Sequence, residues 1–251
     1  MSVVLALLVL LVLSGCSSTP QETTDPTPSP TATGSGRFGD PAELGTALRQ
    51  AALEAGGARG DLVASSVDGR VDGTVVYEFA DDDVEISAEV AVAGPISADL
   101  GVVLADGVVY VRVPALYQLF TSAPWVRLPA AAGSDLSEQV DGLVEALAAE
   151  VPGAWLLDVD DTATMTFRGT DTVDGVEVEV YDVGAAVDAT AVVRTYWVDA
   201  DDLVRRLDSV ARDPAQDTPA TSRHTYTDWG EAVSVQAPDP AQVADLPEGL
   251  L

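Results

Sequence analysis

The residue types that could do chemistry are scarce in this 251-residue chain. Cysteine occurs once, as Cys16, and histidine once, as His224. A single cysteine cannot close an intrachain disulfide, and a single histidine rules out a His-rich metal site. Any Ser-His-Asp relay would have to pass through His224. That residue opens a strand-like run beside Arg223, Thr225 and Tyr226, with no nucleophile-elbow sequence nearby, and reads as a surface or strand-edge histidine. Carboxylates are abundant, and three groups stand out: Asp81-Asp82-Asp83, Asp158/Asp160/Asp161 and Asp199/Asp201/Asp202. None has the spacing of a calcium loop with its glycine and distal glutamate. Each falls where a turn is expected, a position that favours Asp anyway. A glycosidase-type carboxylate pair could be drawn from so acidic a chain, but no residue singles one out. The expectation is no catalytic residue, no metal site and no cofactor.

Cys16 has a different context. It ends Leu13-Ser14-Gly15-Cys16, directly after an apolar run from Val3 to Leu13. That run is too short to cross a bilayer, which takes about 20 residues. A short apolar stretch before small residues reads as a cleaved export signal. Leucine, two small residues and cysteine resemble the bacterial lipobox, in which the thiol takes a diacylglyceryl group and cysteine becomes the new N-terminus. An ordinary secreted protein is the alternative. Met1-Ser2 supplies no basic residue ahead of the run. The resulting division is residues 1–15 as signal peptide, 16–37 as lipidated Cys16 with its tether, and 38–251 as one domain.

The tether, SSTPQETTDPTPSPTATGSG, has no apolar periodicity and too little to bury to offset its ordering entropy. It reads as a spacer, or equally as an O-glycosylated stalk. The remainder, roughly 210 residues, is within the range of a single domain. The chain is 47% hydrophobic and 21% charged, a globular balance. Its net charge of −29, with 12 arginines and no lysine, argues against nucleic acid as a partner. It also leaves no polybasic segment to hold anionic headgroups, so the covalent lipid must supply membrane attachment. The composition fits a GC-rich genome such as an actinobacterium's.

These residues must be positioned by strands and a few helices. Asp40-Pro41-Ala42-Glu43 is a helix opening, and Leu44, Ala47, Leu48, Ala51 and Ala55 follow at helical spacing until Gly56-Gly57. Period-two alternation then runs through Val71–Phe79, Val84–Val92, Ile96–Leu104 and Val108–Val113, with Ala105-Asp106-Gly107 as a hairpin turn. A second helix is expected from Asp135 and Glu138 through Leu136, Val140, Leu143, Val144 and Leu147 to Pro152-Gly153. More strands are expected at Trp155–Val159, Ala163–Arg168, Val176–Val183, Val192–Val198, Leu203–Ala211, Arg223–Thr227 and Val233–Val235, with turns at Asp174-Gly175 and Asp199–Asp202. The fold class is therefore α+β, with one large curved antiparallel sheet of about 10–11 strands and two main helices covering its apolar face. So little cover either leaves an apolar cavity or is completed by side chains that fill the interior. The alternation fits both.

Several later segments carry a family resemblance. Gly107–Pro114 with Pro124–Pro129, Phe167–Val176, Thr195–Val204 and Thr225–Val235 (TYTDWGEAVSV) occur in order, and together with the lipobox and tether they resemble the LppX/LprAFG family of actinobacterial lipoproteins. The resemblance implies a LolA-like half-barrel with helices over its concave face and a lipid-sized cavity between. It implies lipid or glycolipid binding outside the cytoplasmic membrane, on its outer face or in the cell envelope, and no enzyme activity. In one place the chain departs from the pattern: only Gly184–Val193 separates the hairpin strand from Arg194-Thr195-Tyr196, room for about two helical turns of cover.

On this reading a lipid-anchored monomer binds or carries an acyl-chain lipid, with an envelope transporter as a possible partner. The candidate cavity residues are Val75, Tyr77, Ile86, Val90, Leu100 and Val102 on the sheet, with Leu143 and Leu147 from the second helix. Leu116, Tyr117, Leu119, Phe120 and Trp125 cluster in a connection between strands. They would line a pocket mouth, touch a membrane or partner, or fold down as core cover. Trp155, Trp197 and Trp229 read as packing. The alternative function is an interaction module with a filled core that serves an envelope transporter or enzyme. A hydrolase of envelope lipids is a third and weaker reading.

Overall fold

The computed structural model describes residues 36–67, 69–80, 83–94, 97–112, 123–128, 151–160, 162–187 and 190–245. Cys16, the second helix with Leu143 and Leu147, and the connection residues Leu116, Tyr117, Leu119 and Phe120 lie outside them.

The chain enters through helix α1 (Pro41–Ala55). The Asp40 side chain accepts from the Glu43 N–H at 2.8 Å, and the Glu43 carboxylate accepts from Gly39 N–H at 2.7 Å. These bonds satisfy donors that a helix start leaves open. Gly56, at φ 74°, turns the chain out of the helix in the left-handed conformation that glycine adopts at no steric cost. Leu44, Leu48 and Ala52, four residues apart, form the buried stripe.

Twelve strands follow in one open sheet. The first meander is β1 (Gly57–Ser66), β2 (Gly69–Ala80), β3 (Asp83–Ala93), β4 (Ala98–Ala105), β5 (Val108–Arg112) and β6 (Trp125–Leu128). A short helix α2 (Ala154–Asp158) precedes the second meander of β7 (Thr164–Val173), β8 (Val176–Val187), β9 (Thr190–Val198), β10 (Val204–Arg212) and β11 (Ala220–Thr227). Strand β12 (Val243–Asp245) ends the described chain. The spatial order is β12-β6-β5-β4-β3-β2-β1-β11-β10-β9-β8-β7, so the first and last strands of the two meanders, β1 and β11, join them into one curved sheet. Pairing is antiparallel except for β12, which runs parallel to β6. The tight turns use Asp-Gly: Asp106 and Gly107 at φ 53° and 70°, Asp174 and Gly175 at φ 50° and 84°. Two successive positive-φ residues make the hairpin turn whose twist matches that of the strands.

One face of the sheet holds the core. A single cluster of buried residues runs from Val126 and Leu128 of β6 across to Tyr181 and Val183 of β8, and it includes the α1 stripe and Leu156 of α2. A β-carbon on Gly45 would sit 2.7 Å from that of Leu156, so glycine lets α2 press directly onto α1. Among the described residues, the opposite, outer face carries two small clusters. Val103, Ala105 and Val235 form one; Val178, Val180 and Trp197 form the other.

Several expectations change. Among the described residues the sheet has twelve strands rather than 10–11: β1, β6 and β12 add to those expected from alternation, and two expected strands are lost. Trp155–Val159, expected as a strand, lies mostly in α2; a five-residue apolar run has no period to separate the two states. Val233–Val235 is not a strand. It lies over the outer face, with the Val235 N–H donating to Glu78 at 2.7 Å. Gly184–Val193, with room for two helical turns, instead extends β8 and β9 as a hairpin in its described part.

Candidate functional site: the inner face of the sheet

Strand register arranges the inner face in rows. Ala58, Tyr77, Ile86, Leu104, Val109 and Leu128 form one continuous row across β1 to β6. All six are buried, and α1 packs onto the same cluster. The next row runs Gly60, Val75, Ala88, Val102, Val111 and Val126, and the one after it Leu62, Gly73, Val90 and Leu100. A further row, Ala64, Val71, Val92 and Ala98, is only half-buried. Burial therefore falls along the strands, from closed rows at one end to half-open rows at the other.

All six sheet residues singled out in the sequence lie on this face, in three consecutive rows. Tyr77 and Ile86 are in the closed row, Val75 and Val102 in the second, Val90 and Leu100 in the third. Five are buried and Val90 is half-buried. Trp125 is on the opposite face. It packs with the cluster of Val103, Ala105 and Val235, and the Arg112 guanidinium lies 5.5 Å from its ring centre. The cause is alternation within β6, whose Val126 and Leu128 take the inner positions.

The second meander contributes to the inner face as well, and the sequence reading did not name its residues. Tyr181, Val183, Tyr196, Val198, Leu207 and Tyr226 belong to the same cluster. Their alternation is visible in the sequence. What the sequence does not show is the β1–β11 pairing, which puts this set on the face that the first meander uses. The aromatic side chains touch: Tyr77 and Tyr226 centroids are 5.9 Å apart, as are Phe79 and Trp229.

That pairing also corrects the reading of His224. It is not at the surface or on a sheet edge but 4% exposed, on the inner face of β11 between β1 and β10. It lies opposite Leu62 on one side and Leu207 on the other, with the Tyr226 ring centre 6.0 Å away. Arg194 of β9 faces inward too, buried, with its guanidinium 4.8 Å from the Trp155 ring centre. It is opposite Ser209 of β10. Burial of cationic or polar groups on a mostly apolar face demands compensation, and the Trp155 ring supplies part of it for Arg194. Among the described residues, no group of three or more His, Cys, Asp and Glu side chains is placed to hold a metal ion.

The chain reaches the sheet through a polar clamp at Arg37, which the sequence boundaries placed in the tether. Its guanidinium donates to Glu179 at 2.8 Å, Asp202 at 2.8 Å, the Asp199 carbonyl at 2.6 Å and the Ala200 carbonyl at 3.2 Å. Its backbone N–H donates to the Tyr181 hydroxyl at 2.8 Å, and that hydroxyl donates to Glu179. Burial opposes the charge on Glu179, but hydrogen bonds from Tyr181 and Arg37 outweigh it and hold the carboxyl below its usual range. Burial and then the neighbouring Glu179 push the Tyr181 hydroxyl up to about 12. Gly36 lies so close to Tyr181 that a β-carbon would sit 2.5 Å from the hydroxyl oxygen.

No family model matches the chain, and no curated protein matches it. Solved structures with some likeness include the lipoprotein LppX of Mycobacterium tuberculosis, at 16% identity over 79% of this chain and 100% of that one, with TM-score 0.46. MucB in complex with MucA(peri) is 14% identical over 78% of this chain, with TM-score 0.40, and the match spans 58% of the MucB chain. A putative outer membrane lipoprotein-sorting protein domain from Vibrio parahaemolyticus is 9% identical over 74% of this chain and 90% of that one, with TM-score 0.29.

Proposed function

We propose that this protein is exported, anchored by a lipid on Cys16, and holds an acyl-chain lipid or glycolipid against the inner face of its sheet in the cell envelope. The observation that carries the proposal is a continuous apolar face shared by both meanders, closed at one end and half-open at the other. An acyl chain laid along it is bound by apolar burial, about 0.8 kcal/mol per CH₂. No covalent chemistry is required, and no catalytic residue is assigned. The test is native mass spectrometry of protein purified from its own host, before and after organic extraction. A discrete extractable mass of lipid size is expected. A protein that carries none, and takes up no fluorescent fatty acid, overturns the reading.

One observation favours the alternative, a non-carrier module for an envelope transporter or enzyme. Five of the six sheet candidates are already buried in one contiguous cluster with α1, as in a filled core. Both readings share the anchor, and intact mass of the purified chain reads it directly as an acylated Cys16.

A further inference from the structure

We infer that the inner face carries a site for the headgroup of an acidic acyl lipid, a carboxylate or a phosphate ester, built on Arg194, Ser209 and Ser222. Resting on the proposed reading that this face takes an acyl-chain lipid, the site adds the chemistry of the headgroup.

Register carries the inner rows from one meander into the other. The half-buried row of Ala64, Val71, Val92 and Ala98 continues through Ser222 of β11, Ser209 of β10 and Arg194 of β9 to Val183 of β8. The neighbouring row of Leu62, Gly73, Val90 and Leu100 continues through His224, Leu207 and Tyr196. Polar side chains are thus gathered in one place on an apolar face. Arg194, Ser209 and Ser222 are consecutive in their row, and His224 stands two residues from Ser222 along β11, in the next row. Arg194 and Ser222 are two strand spacings apart, about 10 Å, the width of one headgroup.

Two observations point to a ligand. The Ser209 Oγ is buried and has no hydrogen-bond partner among the described residues, a cost that a bound acceptor removes. Arg194, 7% exposed, brings a charge onto this face, and neither of the two rows contains a carboxylate. A chain with 41 acidic residues against 12 basic ones has kept its acids out of both rows.

The chemistry of these groups selects an oxyanion. The guanidinium stays charged at every working pH, and its paired N–H donors match the two oxygens of a carboxylate or phosphate. The serine hydroxyls add further donors. A cationic headgroup is repelled here, and a neutral one gains hydrogen bonds without the charge. Over the rest of the domain a net charge of −29 repels anions, so a preference for an acidic ligand has to come from a local cation. The group stands on the half-open part of the face, and the closed rows lie beyond Val90 and Leu100. A headgroup held at Arg194 leaves its acyl chain to run over the apolar rows of the first meander. A mostly apolar site with a few polar groups that fix orientation is the usual form of a small-molecule site.

The test uses the chain from residue 16 with Cys16→Ser, which keeps every described residue. Three fluorescent probes share one polyene chain: cis-parinaric acid, its methyl ester, and the lysophosphatidic acid that carries the same chain. The two anions should bind about ten- to a hundredfold more tightly than the ester, the worth of hydrogen bonds to a charged group. That ratio needs no substitution, so it reads the site even where a variant fails to fold. Arg194→Gln should bring both anions down to the affinity of the ester and leave the ester unchanged. Arg194→Lys should keep part of the preference, and Ser209→Ala should cost the anions about two- to tenfold. Tighter binding of lysophosphatidic acid assigns the site to a phosphate headgroup, and tighter binding of parinaric acid to a free fatty acid. Equal binding of acid and ester, or an anion preference that survives Arg194→Gln, overturns the inference and leaves the ligand reading intact. Binding of none of the three probes overturns both.

Discussion

The two faces of the sheet are written in the same alternating code and are used in opposite ways. On the inner face, apolar residues of both meanders merge with α1 and α2 into one cluster. Among the described residues of the outer face, the buried apolar clusters lie where something specific packs on top. The tail segment at Val235 covers Val103 and Ala105. The Arg206 guanidinium lies 4.2 Å from the Trp197 ring centre, while the Trp197 N–H donates to Asp171 at 3.1 Å. Elsewhere the outer face carries ion pairs such as Asp208 held by Arg206 and Arg223. Alternation sets which residues share a face; what covers the face decides which of them matter energetically. Inner-face positions should therefore be costly to change as a continuous set, and outer-face positions only at the covered patches.

The largest effect is expected at Leu48, 1% exposed where α1 meets the inner face. Leu48→Ala removes transfer energy and leaves a cavity, a loss of about 2–5 kcal/mol. Urea unfolding measures it, and a loss no greater than that of an outer-face change would end the distinction between the faces. Val235→Ala strips the cover from Val103 and Ala105, at about 1–2 kcal/mol by the same methylene arithmetic. A loss near zero would mean that the tail does not hold the outer patch.

The Arg37 clamp sharpens the comparison, because it stabilises through polar groups at the rim of the inner face. Glu179 has a depressed folded pKa, so its contribution is full above its unfolded value, about 4.3, and is lost as pH falls through the folded value. Tyr181 is raised to about 12, so its contribution is full below its unfolded value, about 10, and is lost as pH rises towards the folded one. Stability should decline on both sides of this window. Glu179→Gln should cost about 0.5–1.5 kcal/mol at neutral pH and flatten the acid limb of the unfolding midpoint against pH. An acid limb with unchanged slope would show that the clamp contributes nothing there.

Much of this arrangement was legible in the sequence, and the gaps have physical causes. The α1 cap, the Asp-Gly hairpins and the inner parity of Val75 through Val102 depend on local spacing and turn chemistry, so the chain displays them directly. The pairing of β1 with β11 joins residues as distant as Arg59 and Thr227, and no local pattern encodes it. His224 looked peripheral for that reason: its own strand shows alternation but not that both neighbouring positions are filled. Trp125 was grouped with Leu116, Tyr117, Leu119 and Phe120 because they are apolar neighbours in sequence, although β6 alternation places it on the outer face. Strand β1 (GARGDLVASS) was missed because its inner positions include Gly60 and Ala64, too small to advertise an apolar face. Gly60 has a reason to be small: a β-carbon there would sit 2.8 Å from the Thr225 carbonyl oxygen.

The smallest effect tests the lower bound of the comparison. Arg70 and Asp72 are two residues apart on β2, form a two-bond ion pair at 2.6 Å, and are each about half exposed. Hydrogen bonding and charge attraction from Arg70 hold the Asp72 carboxyl below its usual range. Yet both groups remain in water, where the pair gives up hydration and side-chain freedom for what it gains. Arg70→Ala should leave the thermal midpoint unchanged within error, at low and at high salt. A fall comparable to that from Val235→Ala would mean that uncovered outer-face pairs hold the sheet together as firmly as the covered patches do. The stability of the outer face would then have to be assigned to charge as well as to cover.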